Sequence, residues 1–194
     1  MVGILLAEKA LLKSPYLSVR AFESIVDYLI PKEVPYEFLN SIGITSVEHL
    51  PIEVVKGGIK LECYNNVQKY LMNNQGEIQF GWSYSQLGNI VLKLTGHVVV
   101  KRPDNSLLCV TPSEHDTNKI FFTPDNSVGS LISNNKLPAK IHALVDDKIV
   151  QKFVKLDQFH NQMRLDGNLI VIEYIMNEKY LISKRLINAF QKFS

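Results

Sequence analysis

The sequence predicts an α+β fold with N-terminal helices, then a central helix followed by an antiparallel β-meander, and finally C-terminal helices. Three stretches of different apolar spacing carry this prediction. Apolar residues follow helical spacing up to about residue 59, alternate with polar or small residues between 78 and 123, and return to helical spacing after 147. We therefore divide the chain into a helical segment (1–59), an α+β core (60–130) and a C-terminal helical segment (131–194).

The N-terminal segment contains signals for three helices. Ser14 caps the first, and Pro31 ends it because proline lacks the backbone donor that a helix interior needs. Pro35 begins a short second helix, and Gly43 suits its left-handed end. The third is predicted from the capping-box spacing over 45–48.

The core begins with a helix and continues as strands. Apolar residues over 63–71 have helical spacing, and Gly76 ends that helix. Alternation over 78–84 then predicts a half-buried strand. Further strands of the meander are predicted over 90–100, 107–111 and 119–123.

The C-terminal segment follows a polar loop at 133–136. Asp146 or Asp147 caps a helix that breaks at Asp166-Gly167. The long apolar stretch 169–190 is helical, although its first four residues suit a strand equally well. The basic residues of this last helix are expected on its solvated face: Lys179, Lys184, Arg185 and Lys192.

Composition and charge exclude several classes of protein. The chain has 194 residues, 46% of them apolar, which is globular rather than disordered, collagen-like or coiled-coil. A net charge of +2 argues against nucleic-acid binding, which depends on a clustered basic excess. Two cysteines, Cys63 and Cys109, are too few for a disulfide framework and favour a reducing compartment. With no signal peptide and no run of eighteen apolar residues, we expect a cytoplasmic protein, or one secreted without a signal peptide, and no membrane contact.

Cys63 and His97 are the candidate catalytic pair. Cys63 begins a helix, whose N-terminal partial charge favours the nucleophilic thiolate, and His97 lies in a following strand, where it can accept and return the proton. Papain-like and transglutaminase-like enzymes use this arrangement. A buried structural cysteine and a hydrogen-bonded strand histidine are the alternative.

The third member of a triad would lie beside His97. The turn near residues 102–106 places His97 opposite Val110, give or take one residue, so Cys109 or Thr111 shares its face. Neither is a carboxylate. Asp104 and Asp116 are possible substitutes from loops.

Several ordered motifs between residues 61 and 160 resemble those of a widespread, poorly characterised bacterial family. They include Glu-Cys-Tyr-Asn-Asn-Val at 62–67, Gly-Trp at 81–82, Gly-His-Val-Val-Val at 96–100 and Val-Thr-Pro at 110–112. Cys63, Asn66, Trp82 and His97 match the pattern of that family. Cys109 departs from it, because it occupies the place of an acid, and the zinc-chelating SEC-C tail of some members is missing.

The predicted function is cysteine-dependent acyl transfer on a protein or peptide-like amide, as in an amidase, protease, deamidase or transglutaminase. Gln79, Trp82 and Asn66 are the candidate binding residues. The alternative is a catalytically lapsed protein-binding module that contacts its partner through the terminal helices. A zinc site of Cys63, His97, Cys109 and His115 is a weaker alternative, because these residues lack close ligand spacing, and we expect no metal or other cofactor.

Overall fold

The computed structural model of the chain describes residues 27–115 and 117–193 and has an α+β fold with an antiparallel sheet and C-terminal helices, as predicted. The described strands are β1 (Glu48–Pro51), β2 (Glu77–Leu87), β3 (Val91–Lys101), β4 (Leu107–Leu108), β5 (Lys119–Pro124) and β6 (Ala139–Ala143). The described α-helices are α1 (Tyr36–Ser41), α2 (Cys63–Leu71), α3 (Lys148–Asp166) and α4 (Leu169–Lys192), and a 3-10 helix spans Asn126–Leu131.

The order of the strands differs from a simple meander. It runs β1-β5-β2-β3-β4, and β6 pairs with the first half of β3 while β4 pairs with its end. The predicted meander is correct for β2, β3 and β4, but β5 crosses the sheet to pair with β2. Both β1, from the first predicted segment, and β6, from the third, belong to this sheet.

Side chains of β3 alternate between two covered faces of the sheet. Val98 and Val100 pack with α2 on one face, which we call the α2 face, and α1 covers the Leu92 and Leu94 part of the same face. Val91 packs with α3 and α4 on the opposite face, which we call the hairpin face because these two helices form an antiparallel pair. Residues of odd number on β3 therefore belong to the hairpin face.

The two C-terminal helices begin and end where the sequence predicted. Asp147 caps α3 by accepting hydrogen bonds from the backbone N–H groups of Ile149 and Val150, at 2.8 and 3.3 Å. Gly167 ends α3 with φ +74°, a left-handed conformation that glycine adopts without strain. Residues 169–172 begin α4, so the alternative of a strand there is wrong.

The N-terminal predictions had mixed outcomes. Most of the first predicted helix, including Ser14, lies outside the described residues, but its last part at Leu29 is extended and pairs with Gln86. The short second helix is confirmed as α1, with Gly43 at φ +83° just beyond it. The third helix is wrong, because Glu48–Pro51 forms β1 against β5 and so buries Leu50 in the sheet.

Across residues 27–115 and 117–193, no helix has the length and apolar character that crossing a bilayer requires.

Candidate functional site

Cys63 is the first residue of α2, but its sulfur is enclosed. The residue is only 4% exposed and packs on the α2 face with Val67, Val98 and Val100. Burial raises the pKa of the Cys63 thiol, and backbone hydrogen bonds, including one with Val98, lower it only in part. Cys63 is therefore a protonated, apolar core residue at neutral pH rather than a thiolate.

His97 lies on the hairpin face, away from Cys63. Its neighbours on β3, Gly96 and Val98, belong to the α2 face, because successive strand residues alternate. The His97 ring instead hydrogen-bonds the sulfur of Cys109, with 3.3 Å between Nε2 and Sγ. The structure thus does not bring the predicted pair of Cys63 and His97 together, since the sheet itself separates them.

Of the two residues that the turn allowed beside His97, Cys109 and Thr111, it is Cys109 that shares the face of His97. Burial raises the pKa of Cys109 to about 11, and the Cys109 thiol also contacts the Thr111 carbonyl oxygen at 3.7 Å. Burial likewise lowers the pKa of His97 to about 4. At neutral pH the two side chains are therefore a neutral thiol and a neutral imidazole. Such a pair lacks the thiolate that nucleophilic attack on a carbonyl requires.

Asn66 and Thr111 form a structural network within the described residues. The Asn66 side-chain amide donates to the Ile59 carbonyl at 2.7 Å and to Thr111 Oγ1 at 3.2 Å, while its oxygen accepts from the Ile59 N–H at 3.0 Å. Both side chains are buried. Asn66 therefore fastens the segment before α2 to the sheet, and Thr111 faces Asn66 rather than His97.

Of the two carboxylates considered as substitutes, Asp104 does not join His97. Asp104 accepts hydrogen bonds from the backbone and hydroxyl of Ser106, at 2.9 and 2.7 Å, inside the turn that joins β3 to β4. Asp116 lies outside the described residues. Among the residues that the structure describes, no three His, Cys, Asp or Glu side chains are grouped to hold a metal ion.

Of the candidate binding residues, Trp82 lines a groove of the structure. The Gln79 amide is engaged by the Phe80 carbonyl at 2.7 Å and by Asn126 Oδ1 at 2.8 Å. The Trp82 indole donates to Asp125 Oδ2 at 2.8 Å, and the Lys140 ammonium lies 4.4 Å from the centre of its ring. Around it opens a groove of about 560 Å³.

We call this cavity the Trp82 groove, and sequence reasoning missed the side of it that β6 forms. Lys140 and His142 line it from β6, a strand that was not predicted. The segment Lys-Ile-His shows the alternation of a strand, but it is too short to be distinguished from loop without its partner β3.

The outer face of α4 is the second surface with unusual chemistry. Ile170, Tyr174 and Leu181 are 84%, 64% and 70% exposed, and their spacing of four and seven residues aligns them in one stripe. The buried residues of α4, among them Ile175 and Leu186, lie on the opposite side of the helix. We call the three exposed residues the α4 stripe.

A basic end follows the α4 stripe along the helix. Lys184, Arg185 and Lys192 are exposed, as predicted, and no acidic residue occurs between 181 and 193. Lys179 is the exception to that prediction, because it is buried and bonds Asp157 at 2.7 Å. That ion pair is structural, since the α3–α4 interface covers both side chains.

Comparison with protein-family models, curated proteins and solved structures gives no match to this chain.

Proposed function

We propose that this protein is a non-catalytic protein-binding module that contacts its partner through the C-terminal helices. The α4 stripe carries the proposal, since a row of large apolar side chains facing water is costly unless another surface covers it. Its exposed side chains, Ile170, Tyr174 and Leu181, face away from the core that α4 shares with α3.

The chemistry of this face indicates what the partner offers. Apolar side chains occupy its first half, and Lys184, Arg185 and Lys192 occupy its second half without any acid between 181 and 193. A complementary surface has an apolar strip next to acidic residues, as on an amphipathic acidic helix. Electrostatic attraction would orient that partner along α4.

We propose binding rather than acyl transfer because of the burial and the charge state of the two cysteines. Acyl transfer by Cys63 and His97 stays a prediction, but it requires an accessible thiolate, and both cysteines are buried with raised pKa values. Iodoacetamide labelling at pH 7 tests it directly. The binding proposal expects Cys63 of the folded protein to react with iodoacetamide much more slowly than a free thiol does. In urea, where the protein is unfolded, Cys63 should react at the rate of a free thiol. Fast labelling of folded Cys63, lost in Cys63→Ala, would favour the enzyme.

Site-directed crosslinking tests the binding surface. We would attach a benzophenone to Leu181→Cys and, as the matched control, to Lys155→Cys on the exposed side of α3, and irradiate each in extract of the native cells. The proposal expects a crosslinked product when the benzophenone is at residue 181 and no such product when it is at residue 155. A product that contains only a second copy of this chain, or no product specific to 181, would contradict it.

Affinity measurements with the partner that crosslinking identifies, purified on its own, complete the test. Leu181→Asp should weaken binding at least about tenfold, because covering a leucine contributes about 1.5–3 kcal/mol. Lys184→Glu with Arg185→Glu should weaken it most at low salt, since salt screens charge attraction. Lys155→Glu is the control and should leave affinity unchanged. Equal affinity of Leu181→Asp and the unchanged protein would refute the proposed surface.

A further inference from the structure

The segment between β1 and α2 exposes several large apolar side chains. We call its residues 54–61, Val-Val-Lys-Gly-Gly-Ile-Lys-Leu, the 54–61 loop. Val54, Ile59 and Leu61 are 53%, 54% and 75% exposed. The Val54 side chain lies beside Gly58, since a Cβ atom on that glycine would be 3.3 Å from Val54 Cγ1. Val54 therefore neighbours the turn that leads into Ile59 and Leu61.

Side chains of α2 fix the backbone of this loop. Asn66 accepts a hydrogen bond from the Ile59 N–H at 3.0 Å and donates to the Ile59 carbonyl at 2.7 Å. The Lys69 ammonium donates to the Gly57 carbonyl at 2.9 Å. The loop is thus a fixed support that presents the Ile59 side chain to water, although the same backbone is fastened to buried Asn66.

Leu61 has a backbone conformation that leucine rarely adopts. Its φ is +66°, in the left-handed region, where the Cβ atom crowds the following carbonyl oxygen. A side chain that is 75% exposed gains little packing energy to offset this strain. Strained residues of this kind cluster at sites that bind ligands or partners. The strain therefore points, independently of exposure, to a contact that Leu61 makes outside the folded chain.

Lysines accompany the apolar side chains of the loop. Lys56 and Lys60 are exposed within it, and the hydrogen bond from Lys69 to Gly57 places a third ammonium at its turn. The sequence has no acidic residue between 54 and 61. The exposed apolar surface is therefore bordered by positive charge.

The acidic residues that flank the loop do not cancel this charge. Glu53 is paired with Arg102 at 3.1 Å, so its charge is already compensated. Glu62 accepts a hydrogen bond from the Asn65 amide at 3.2 Å, which is neutral, and it retains its negative charge. The three lysines exceed that single carboxylate by two charges.

We propose that the 54–61 loop binds the surface of a membrane that contains anionic lipids. Ile59 and Leu61 enter the boundary between headgroups and acyl chains, and Lys56 and Lys60 pair with the lipid phosphate and carboxylate groups. Sequence analysis led us to expect no membrane contact because it considered segments that span a bilayer. A loop that enters only one interface needs no such segment.

Charge and size favour a lipid surface over a protein as the occupant. A stable protein interface needs roughly 20–30 residues on each side, far more than the eight of this loop. An anionic lipid surface attracts each lysine, and its fluid interior accepts protruding side chains without a matching pocket. The proposal is independent of the α4 stripe, because α2, which follows the loop, and α4 cover opposite faces of the sheet.

Sedimentation with sucrose-loaded vesicles tests the proposal on the purified full chain. Vesicles of phosphatidylcholine mixed with phosphatidylserine are compared with vesicles of phosphatidylcholine alone. We expect at least about tenfold tighter binding to the anionic vesicles. High salt should remove this preference, because salt screens the attraction between the lysines and the lipids.

Variants assign the contact to the loop. Leu61→Gly removes an apolar side chain together with its strain and should lower the affinity for anionic vesicles at least about tenfold. Lys56→Gln with Lys60→Gln should lower it by at least about the same factor. Lys148→Gln with Lys155→Gln is the matched control, since it removes the same charge from exposed positions of α3, and it should bind as the unchanged protein does.

A fluorophore at residue 61 distinguishes insertion from charge attraction alone. Cys63 and Cys109 are buried, so the environment-sensitive dye NBD can be attached selectively to Leu61→Cys in the folded protein. On anionic vesicles its emission should increase and shift to shorter wavelength, because the dye leaves water. The same dye on Lys155→Cys should show no change.

Three results would each overturn the proposal: equal binding to the two kinds of vesicle, unchanged affinity of Leu61→Gly, or unchanged NBD emission at residue 61. Binding to native cell membranes but not to protein-free vesicles would assign the loop to a membrane protein and would overturn it as well. Circular dichroism shows whether each variant is folded. Leu61→Asn, which also tolerates a positive φ, replaces Leu61→Gly if that variant is not folded.

Discussion

His97 should make the stability of the fold depend on pH between 7 and 5. Burial lowers the pKa of His97 to about 4 in the folded protein, whereas the value for an unperturbed histidine is 6.5. As the pH falls through 6.5, the unfolded chain therefore binds a proton that the folded chain does not. Stability is greatest above pH 6.5, decreases below it and levels off below about pH 4.

The magnitude follows from the two pKa values. At pH 5 the unfolded imidazole is almost fully protonated, whereas the folded one is still about nine-tenths neutral. Proton linkage then lowers the free energy of unfolding by about 2 kcal/mol between pH 7 and pH 5. Carboxylates with lowered pKa, such as Asp125, titrate in the unfolded chain near 3.8 and add their own loss only at lower pH.

Urea unfolding at pH 7, 6 and 5, followed by circular dichroism, measures this loss in the unchanged protein and in His97→Gln. The other histidines are present in both chains and cancel in the difference. We expect the unchanged protein to lose about 2 kcal/mol more than the variant. Parallel pH profiles, or an NMR titration of His97 with a midpoint near 6.5, would refute the reasoning that the ring is held neutral by burial.

Three further substitutions test the packing around the site. Asp157→Asn should cost about 3–5 kcal/mol in urea unfolding, because it leaves the buried Lys179 ammonium without its partner, and adding Lys179→Met should recover part of the loss. Asn66→Ala should cost about 1–3 kcal/mol, since it removes the bonds to both backbone groups of Ile59. Leu61→Gly should leave stability unchanged or raise it by up to about 1 kcal/mol, because Leu61 is 75% exposed at φ +66°, and a clear loss would show that its side chain packs.

Local signals predicted the elements that are specified by neighbouring residues. The helix at Cys63–Leu71, the alternation in β2 and β3 and the Asp147 cap all depend on spacings within a few residues. Gly167 is equally local, since its left-handed conformation needs no partner elsewhere. The α+β class followed from these elements together.

Tertiary pairing decided what the local signals could not. Residues 45–51 contain a helix-capping pattern, yet pairing Leu50 with Ile120 of β5 buries its side chain and outweighs that preference. The segment of β6 is likewise a strand because β3 is present beside it. Strand neighbours are set by contacts between distant residues, which spacing does not record.

The sequence by itself determined that Cys63 begins a helix, that His97 lies in a strand, and that Cys109 or Thr111 lies near His97. Only the tertiary structure decided on which face of the sheet that helix packs. Apolar alternation indicates that a strand face is covered, but not by which element, and a strand has both faces available. Because α2 packs against Val98 and Val100, the sheet lies between Cys63 and His97, and the nearest thiol to the imidazole is that of Cys109.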